Sequence, residues 1–240
     1  MSVRYAVYLA PPPDSELWRF GSRVLGRDAA TGERIEGFFP AGFDAETWRE
    51  IAAEPRHYGF HATLKAPMRL ENGFEVEDFE AEIDKLAAAI DAFELGPLRV
   101  AALKFGGGET GFVALVAKTP PLELAALEAH ILRGLDPFRA SPGDAEIARR
   151  RPDRLTPRQR EHLFAWGYPY VLDEFRLHFT LSGSVPAPED LAERLAVDFA
   201  REVSDPRFTV DALALFEQHD GGDFRLRRRF ALRPPRPTGT

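Results

Sequence analysis

A chain of 240 residues, 44% hydrophobic and 29% charged, is long enough to bury a sizeable core as one large domain or two small lobes. Its net charge of −7 argues against a surface that coats large nucleic acids, and the lack of cysteine excludes disulfides, thiolate nucleophiles and cysteine-held metals. No apolar run approaches the roughly 18 residues of a membrane span, and MSVRYAVYLAPPP lacks the long apolar region of a signal peptide, so the expectation is a cytoplasmic protein with no membrane partner.

RYAVYLAP reads as a first strand stopped by proline. DSELWRFGSRVL follows as a helix opened by Asp14, with Leu17, Phe20, Val24 and Leu25 at helical spacing. Residues 26–43 are glycine-rich and aperiodic, a loop. DAETWREIAAE is a short helix capped by Asp44, and a strand is predicted from Tyr58 to Ala66. VEDFEAEIDKLAAAIDAF is a strongly amphipathic helix through Phe79, Ile83, Leu86 and Ile90. PLRVAALKFGGGETGFVALVAK gives two strands joined by a glycine-rich turn, and PPLELAALEAHILRGL a helix with prolines in its first turn. Residues 136–170 form a candidate mobile connection rich in arginine and tyrosine, carrying the helix TPRQREHLFAWG, opened by Thr156 and ended by Gly167. A second strand is predicted from Phe175 to Ser182, then the helix APEDLAERLAVDFARE. FTVDALALFEQHDGGDFRLRRRFAL closes the chain as a hairpin whose outer arginines would blunt a sheet edge. Residues 233–240 read as a flexible tail.

The order of elements repeats: a His-x-Thr strand, a helix, then a glycine-turn hairpin. This points to one domain over residues 1–240, built as two duplicated lobes. In the strings HATL and HFTL, side chains alternate between faces. Gly59, His61, Thr63 and Lys65 share one face of the first strand; Arg176, His178, Thr180 and Ser182 share one face of the second. Each face sets an imidazole beside a hydroxyl and near a cation. Two such imidazoles across a phosphodiester can divide the proton transfers, one activating water and the other protonating the departing oxygen. Thr63 and Thr180 would hold phosphate oxygens, and Lys65 and Arg176 would offset transition-state charge. Such chemistry needs no metal and no cofactor.

These paired motifs resemble the two-histidine (2H) phosphoesterase superfamily, which includes the LigT-like RNA 2′,3′-cyclic phosphodiesterases. RYAVYLAPPPDSELWRFGSRVLGRDAATG, HYGFHATLKAP, LTPRQREHLFAWGYPYVLDEFRLHFTLSG and VDALALFEQ look like its branch of phosphonate metabolism proteins, encoded beside carbon–phosphorus lyase genes. The resemblance implies an α+β fold: a duplicated, bilobal arrangement of two antiparallel sheets with outer helices around a central cleft. It carries His61 and His178 over as the catalytic pair, and Thr63 and Thr180 as the hydroxyl pair. The expected function is a metal-independent phosphoesterase acting on a cyclic phosphate or small phosphodiester of nucleotide or phosphoribosyl type. The expected partner is that small substrate, and the expected state a monomer. A non-catalytic binder of a phosphorylated metabolite or RNA end, or an RNA-end ligase, are the alternatives.

Other residues are weaker candidates. Tyr8 on the first strand is expected to line the cleft, and Tyr168, with Tyr170, to stack on a base or ribose. Six arginines in ARRRPDRLTPRQR suggest a solvated connector or a basic lid. His57 is expected at the exposed start of the strand, and Tyr58 in the core by its opposite parity. His130, His162 and His219 read as surface or satisfied structural residues. FGGGETG joins two strands and opens no helix, so it is not a phosphate loop.

Overall fold

The computed structural model describes residues 2–104 and 108–235. Its architecture is α+β, as expected: two antiparallel sheets with helices outside them. In the first sheet the strand order is β2 (Ala62–Met68), β1 (Val3–Leu9), β8 (Ala212–His219) and β9 (Arg225–Ala231). In the second it is β5 (Phe179–Thr180), β4 (Thr110–Ala117), β3 (Phe93–Lys104) and β7 (Arg207–Val210), with β6 (Val185–Pro186) also paired to β4. The two motif strands, β2 and β5, therefore each sit at a sheet edge. The glycine-rich connection between β3 and β4 falls largely on residues 105–107, outside the described residues.

The helices are α1 (Glu16–Leu25), α2 (Ala45–Ile51), α3 (Ala53–Tyr58), α4 (Val76–Ala87), α5 (Leu122–Leu135), α6 (Asp144–Arg149), α7 (Pro157–Trp166) and α8 (Pro188–Glu202). Local chemistry explains most boundaries. Asp44 caps α2 through the Glu46 and Thr47 amides. Thr156 and Gln159 form a reciprocal capping box on α7, which ends at Gly167 in the left-handed region. The cap of α1 is Ser15 rather than Asp14: its Oγ accepts from Trp18 N at 3.1 Å, a reach that Asp14, one residue earlier, lacks. The prolines before α5 lie just outside its first turn, with Pro121 at the cap. Residues 136–170 contain α6 and α7 with 3-10 turns at Asp136–Phe138 and Pro152–Arg154. The start of the expected tail is tied down: Arg233 N donates to Ile90 O at 2.9 Å and its guanidinium pairs with Asp91. Residues 236–240 lie outside the described residues.

The main core fills the space between sheets and helices, with Leu9, Phe20, Phe60, Ile83, Leu115, Phe179, Leu195 and Leu215 all buried. Burying one such side chain contributes roughly 1.5–3 kcal/mol. A smaller cluster of Tyr8, Trp18, Phe216 and Phe224 packs on the other face of the first sheet. Pairing also crosses the expected halves. The β3–β4 hairpin follows β2 in sequence yet pairs with β5, while β8, which follows β5, pairs with β1 beside β2. The single strand expected from Phe208 onward breaks at Asp211 into β7 and β8, which belong to different sheets.

Candidate active site

The first motif is built by a helix stop. Tyr58 ends α3, and Gly59 turns the chain at φ 79°, where a Cβ would sit 2.5 Å from Ala29 Cβ. Only glycine meets both demands. His57 and Tyr58 are therefore helical, and the strand parity assigned to them does not apply. The paired strand begins at Ala62, opposite Leu9, and Tyr8 faces Thr63. The next pair is Val7 with Lys65, so β2 carries one extra residue, Leu64, between them. This bulge reverses the alternation. Directly opposed residues share a face, so Lys65 joins Val7 on the core side, whereas Thr63 joins Tyr8 on the cleft side.

His61, Thr63, His178 and Thr180 line one cleft of about 320 Å³. Each histidine lies just before the paired part of its strand, and both are held the same way. His61 Nδ1–H donates to the Gly59 carbonyl at 2.9 Å, and His178 Nδ1–H donates to the Arg176 carbonyl at 2.7 Å. A carbonyl can only accept, so in both rings Nδ1 carries hydrogen and Nε2 is left for chemistry. The Thr63 hydroxyl lies 3.3 Å from His61 Nε2 and can donate to it. Tyr8 stacks on the His61 ring with centroids 3.7 Å apart, and Phe112 tilts against His178 at 5.4 Å. Burial pulls His61 down to about 4, with smaller effects from the Gly59 carbonyl, which raises it, and His178, which lowers it. Burial lowers His178 as well.

The two expected cations are elsewhere. Lys65 is 2% exposed; its Nζ donates to Asp136 Oδ1 at 2.7 Å and to the Leu132 carbonyl at 3.3 Å. It ties β2 to the end of α5. Arg176 precedes the strand, which spans only Phe179–Thr180, and its exposed guanidinium folds onto the Asp173 and Phe175 carbonyls. Ser182 lines the cleft, but its hydroxyl is occupied between Val113 N and Gly183 O.

Tyr8 lines the cleft, as expected of it; Tyr168 lines it too, and Arg150, Tyr58 and Glu54 join them. Arg150 contributes a cation from just past α6. Tyr58, expected in the core, lines the cleft while stacking on Phe224 at 5.3 Å. Glu54 supplies a carboxylate from the first turn of α3. Arg150 was legible only as one of six neighbouring arginines. Tyr58 was hidden by the missed helix.

The remaining histidines do not line the cleft. His162 is 2% exposed and bonds Asp173 at 2.7 Å; His57 lies between Asp223 and Gln218 at 3.1 and 2.8 Å. His130 lies on α5 away from the cleft, and the exposed His219 is 3.5 Å from Glu217. A separate cavity of about 410 Å³ holds Arg34, Arg49 and Arg56 but no histidine. Among the described residues no group of three His, Cys, Asp or Glu side chains gathers as metal ligands would, and no helix is long and apolar enough to cross a membrane.

Two curated relatives carry the name ribose 1,5-bisphosphate phosphokinase PhnN. That of Laribacter hongkongensis is 38% identical over 230 residues, covering 94% of this chain and 51% of that protein. That of Janthinobacterium sp. is 34% identical over 228 residues, covering 92% and 49%. The chain thus spans about half the length of the curated relatives it matches. Among solved structures, Kluyveromyces marxianus Usb1 aligns over 96% of this chain and 98% of its own, with a TM-score of 0.43 and 13% identity. E. coli LigT complexed with 3′-AMP aligns over 97% and 99%, with a TM-score of 0.41 and 16% identity. Paired His-x-Thr motifs on the edges of two antiparallel sheets, opening on one cleft, form the arrangement that the two-histidine phosphoesterase resemblance implies. The family model described as a protein of unknown function, DUF1045, matches residues 63–225, most of the chain, and the chain belongs to that family.

Proposed function

We propose that the chain is a phosphoesterase that hydrolyses a cyclic phosphate or small phosphodiester, of nucleotide or phosphoribosyl type, without a metal ion. One observation carries this reading: two imidazoles with the same fixed tautomer share a cleft with two threonine hydroxyls. Water attacks phosphorus and gives a proton to His61 Nε2. The phosphorus–oxygen ester bond breaks, and the departing oxygen takes the proton of His178 Nε2. Proton exchange with solvent restores both rings. His61 is the base because burial and its neighbour His178 hold it in the neutral form to lower pH. Thr63 and Thr180 hold the non-bridging oxygens in line.

The name shared by the relatives supports a link to phosphorylated ribose chemistry, with the phosphonate branch as its setting. Their kinase activity is a different matter. None of this chain's lysines, Lys65, Lys85, Lys104 and Lys118, follows a glycine, so it contains no Gly-Lys-Ser/Thr phosphate loop.

The test is turnover of 2′,3′-cyclic nucleotides, 3′,5′-cyclic nucleotides and phosphoribosyl cyclic phosphates, with and without EDTA. The expected outcome is EDTA-resistant hydrolysis of at least one class. His61→Ala and His178→Ala should each lower kcat by roughly 10²–10⁴-fold with an unchanged circular dichroism spectrum. Full rate in either variant removes that histidine from the mechanism, and tight binding without turnover would make the chain a binder instead.

A further inference from the structure

Charge in the cleft is unevenly placed. Of the residues lining it, Arg150 is the one cation and Glu54 the one carboxylate among the described residues. The Arg150 guanidinium lies 4.9 Å from the centre of the Tyr168 ring, and no carboxylate pairs with it among the described residues. Other arginines of this chain are engaged: Arg139 with Asp136, Arg158 with Asp173, Arg227 with Glu80. An arginine with an aromatic face behind it and its donors unclaimed presents the fork that phosphate oxygens accept.

Arg150 enters the cleft from just past α6, not from either motif strand. Tyr8, Tyr58 and Tyr168 line the same cleft, so three phenols border the space that Arg150 enters. The Tyr8 hydroxyl is fully buried and has no hydrogen-bond partner. A buried hydroxyl in that state is costly, and a ligand oxygen is the partner that relieves it. The cleft volume, about 320 Å³, suits a small sugar phosphate.

We propose that Arg150, with the hydroxyls of Tyr8, Tyr58 and Tyr168, forms a second anion subsite that takes a terminal phosphomonoester on a substrate whose diester lies between His61 and His178. The proposal rests on the phosphoesterase reading and narrows it. The substrate class becomes a sugar cyclic phosphate that also carries a terminal phosphate, and Arg150 becomes a specificity-determining residue.

The experiment compares ribose cyclic phosphate with and without a 5-phosphate, using wild type, Arg150→Ala, Arg150→Lys and the exposed neighbour Arg149→Ala. Arg150→Ala should lower kcat/KM for the 5-phosphorylated substrate by roughly 10–150-fold, the strength of hydrogen bonds to a charged group. The other substrate should be little changed, Arg150→Lys intermediate, and Arg149→Ala like wild type. Equal losses on both substrates would place Arg150 at the scissile phosphate and overturn the proposal. A second arm needs no turnover: calorimetric binding of ribose 5-phosphate to His178→Ala, with and without Arg150→Ala. Weaker binding on loss of Arg150 supports the subsite, and equal binding overturns it. If wild type hydrolyses neither diester, the phosphoesterase reading falls while the binding arm still decides the subsite.

Discussion

His61 and His178 share a tautomer but differ in the balance of forces on their protons. His61 is drawn down to about 4 by burial, and His178 is lowered from its ordinary value by the same cause. In the proposed mechanism the productive free form has His61 neutral and His178 protonated. That form is most populated above the pKa of His61 and below that of His178, which lies under the usual 6.5. The profile of kcat/KM should therefore peak on the acid side of neutrality. It should fall as pH rises through 7, because His178 loses the proton it must donate. Bound substrate is an anion and raises both imidazoles, so kcat should peak at higher pH than kcat/KM. Initial rates across pH 4–9 check both statements. A kcat/KM that keeps climbing above neutrality would reverse the assigned roles or remove them.

At the scale of elements, the β2 bulge shows where the sequence stops being legible. Alternation places Thr63 and Lys65 together, and it succeeds for Thr63. The extra residue, Leu64, then flips Lys65 to the core face, where Asp136 meets it. No local pattern in HATLKAP marks that bulge, because it is set by pairing with β1. The helix α3 was hidden for a related reason: six residues with Pro55 in the first turn give no periodicity to read. The second strand was overdrawn because only Phe179 and Thr180 find a partner on β4, which leaves Arg176 in a loop. Long amphipathic α4 and capped α7 were legible, since their signals lie within each segment. The displaced lysine leads to a clear expectation. Lys65→Met removes one partner of a buried pair but leaves Asp136 with Arg139. It should cost about 1–3 kcal/mol of stability, below the full penalty of an uncompensated charge. Turnover per folded molecule should be retained, because Nζ does not face the cleft. Denaturant unfolding and kcat/KM measured on the same samples separate the two effects, and a large rate loss without destabilisation would return Lys65 to the phosphate.

Across the whole molecule, the motif pair is assembled by exchange between the halves. β2 and β1 are completed by β8 and β9, more than half the chain away in sequence, with Val3 opposite His219. β5 has two paired residues and depends on β4 for its place, yet β4 precedes it by a helix, α5, and the α6–α7 segment. Neither half therefore holds a finished sheet. The hydrophobic core is continuous for the same reason: Phe60 beside the first motif packs on Phe179 in the second, with ring centres 5.4 Å apart. The site should consequently exist only when the whole fold exists. Fragments spanning residues 1–120 and 121–240 should each be unfolded when produced alone, since each leaves sheet edges and apolar faces uncovered. Intact protein should unfold in one transition, with tryptophan fluorescence and far-ultraviolet circular dichroism coinciding. Refolding should be slow for the chain length, because the strands that flank His61 close the longest loop available. Two separated transitions, or an isolated half with native-like strand signal, would mean that each lobe carries its own core. The convergence of His61 and His178 would then depend on lobe docking rather than on shared sheets.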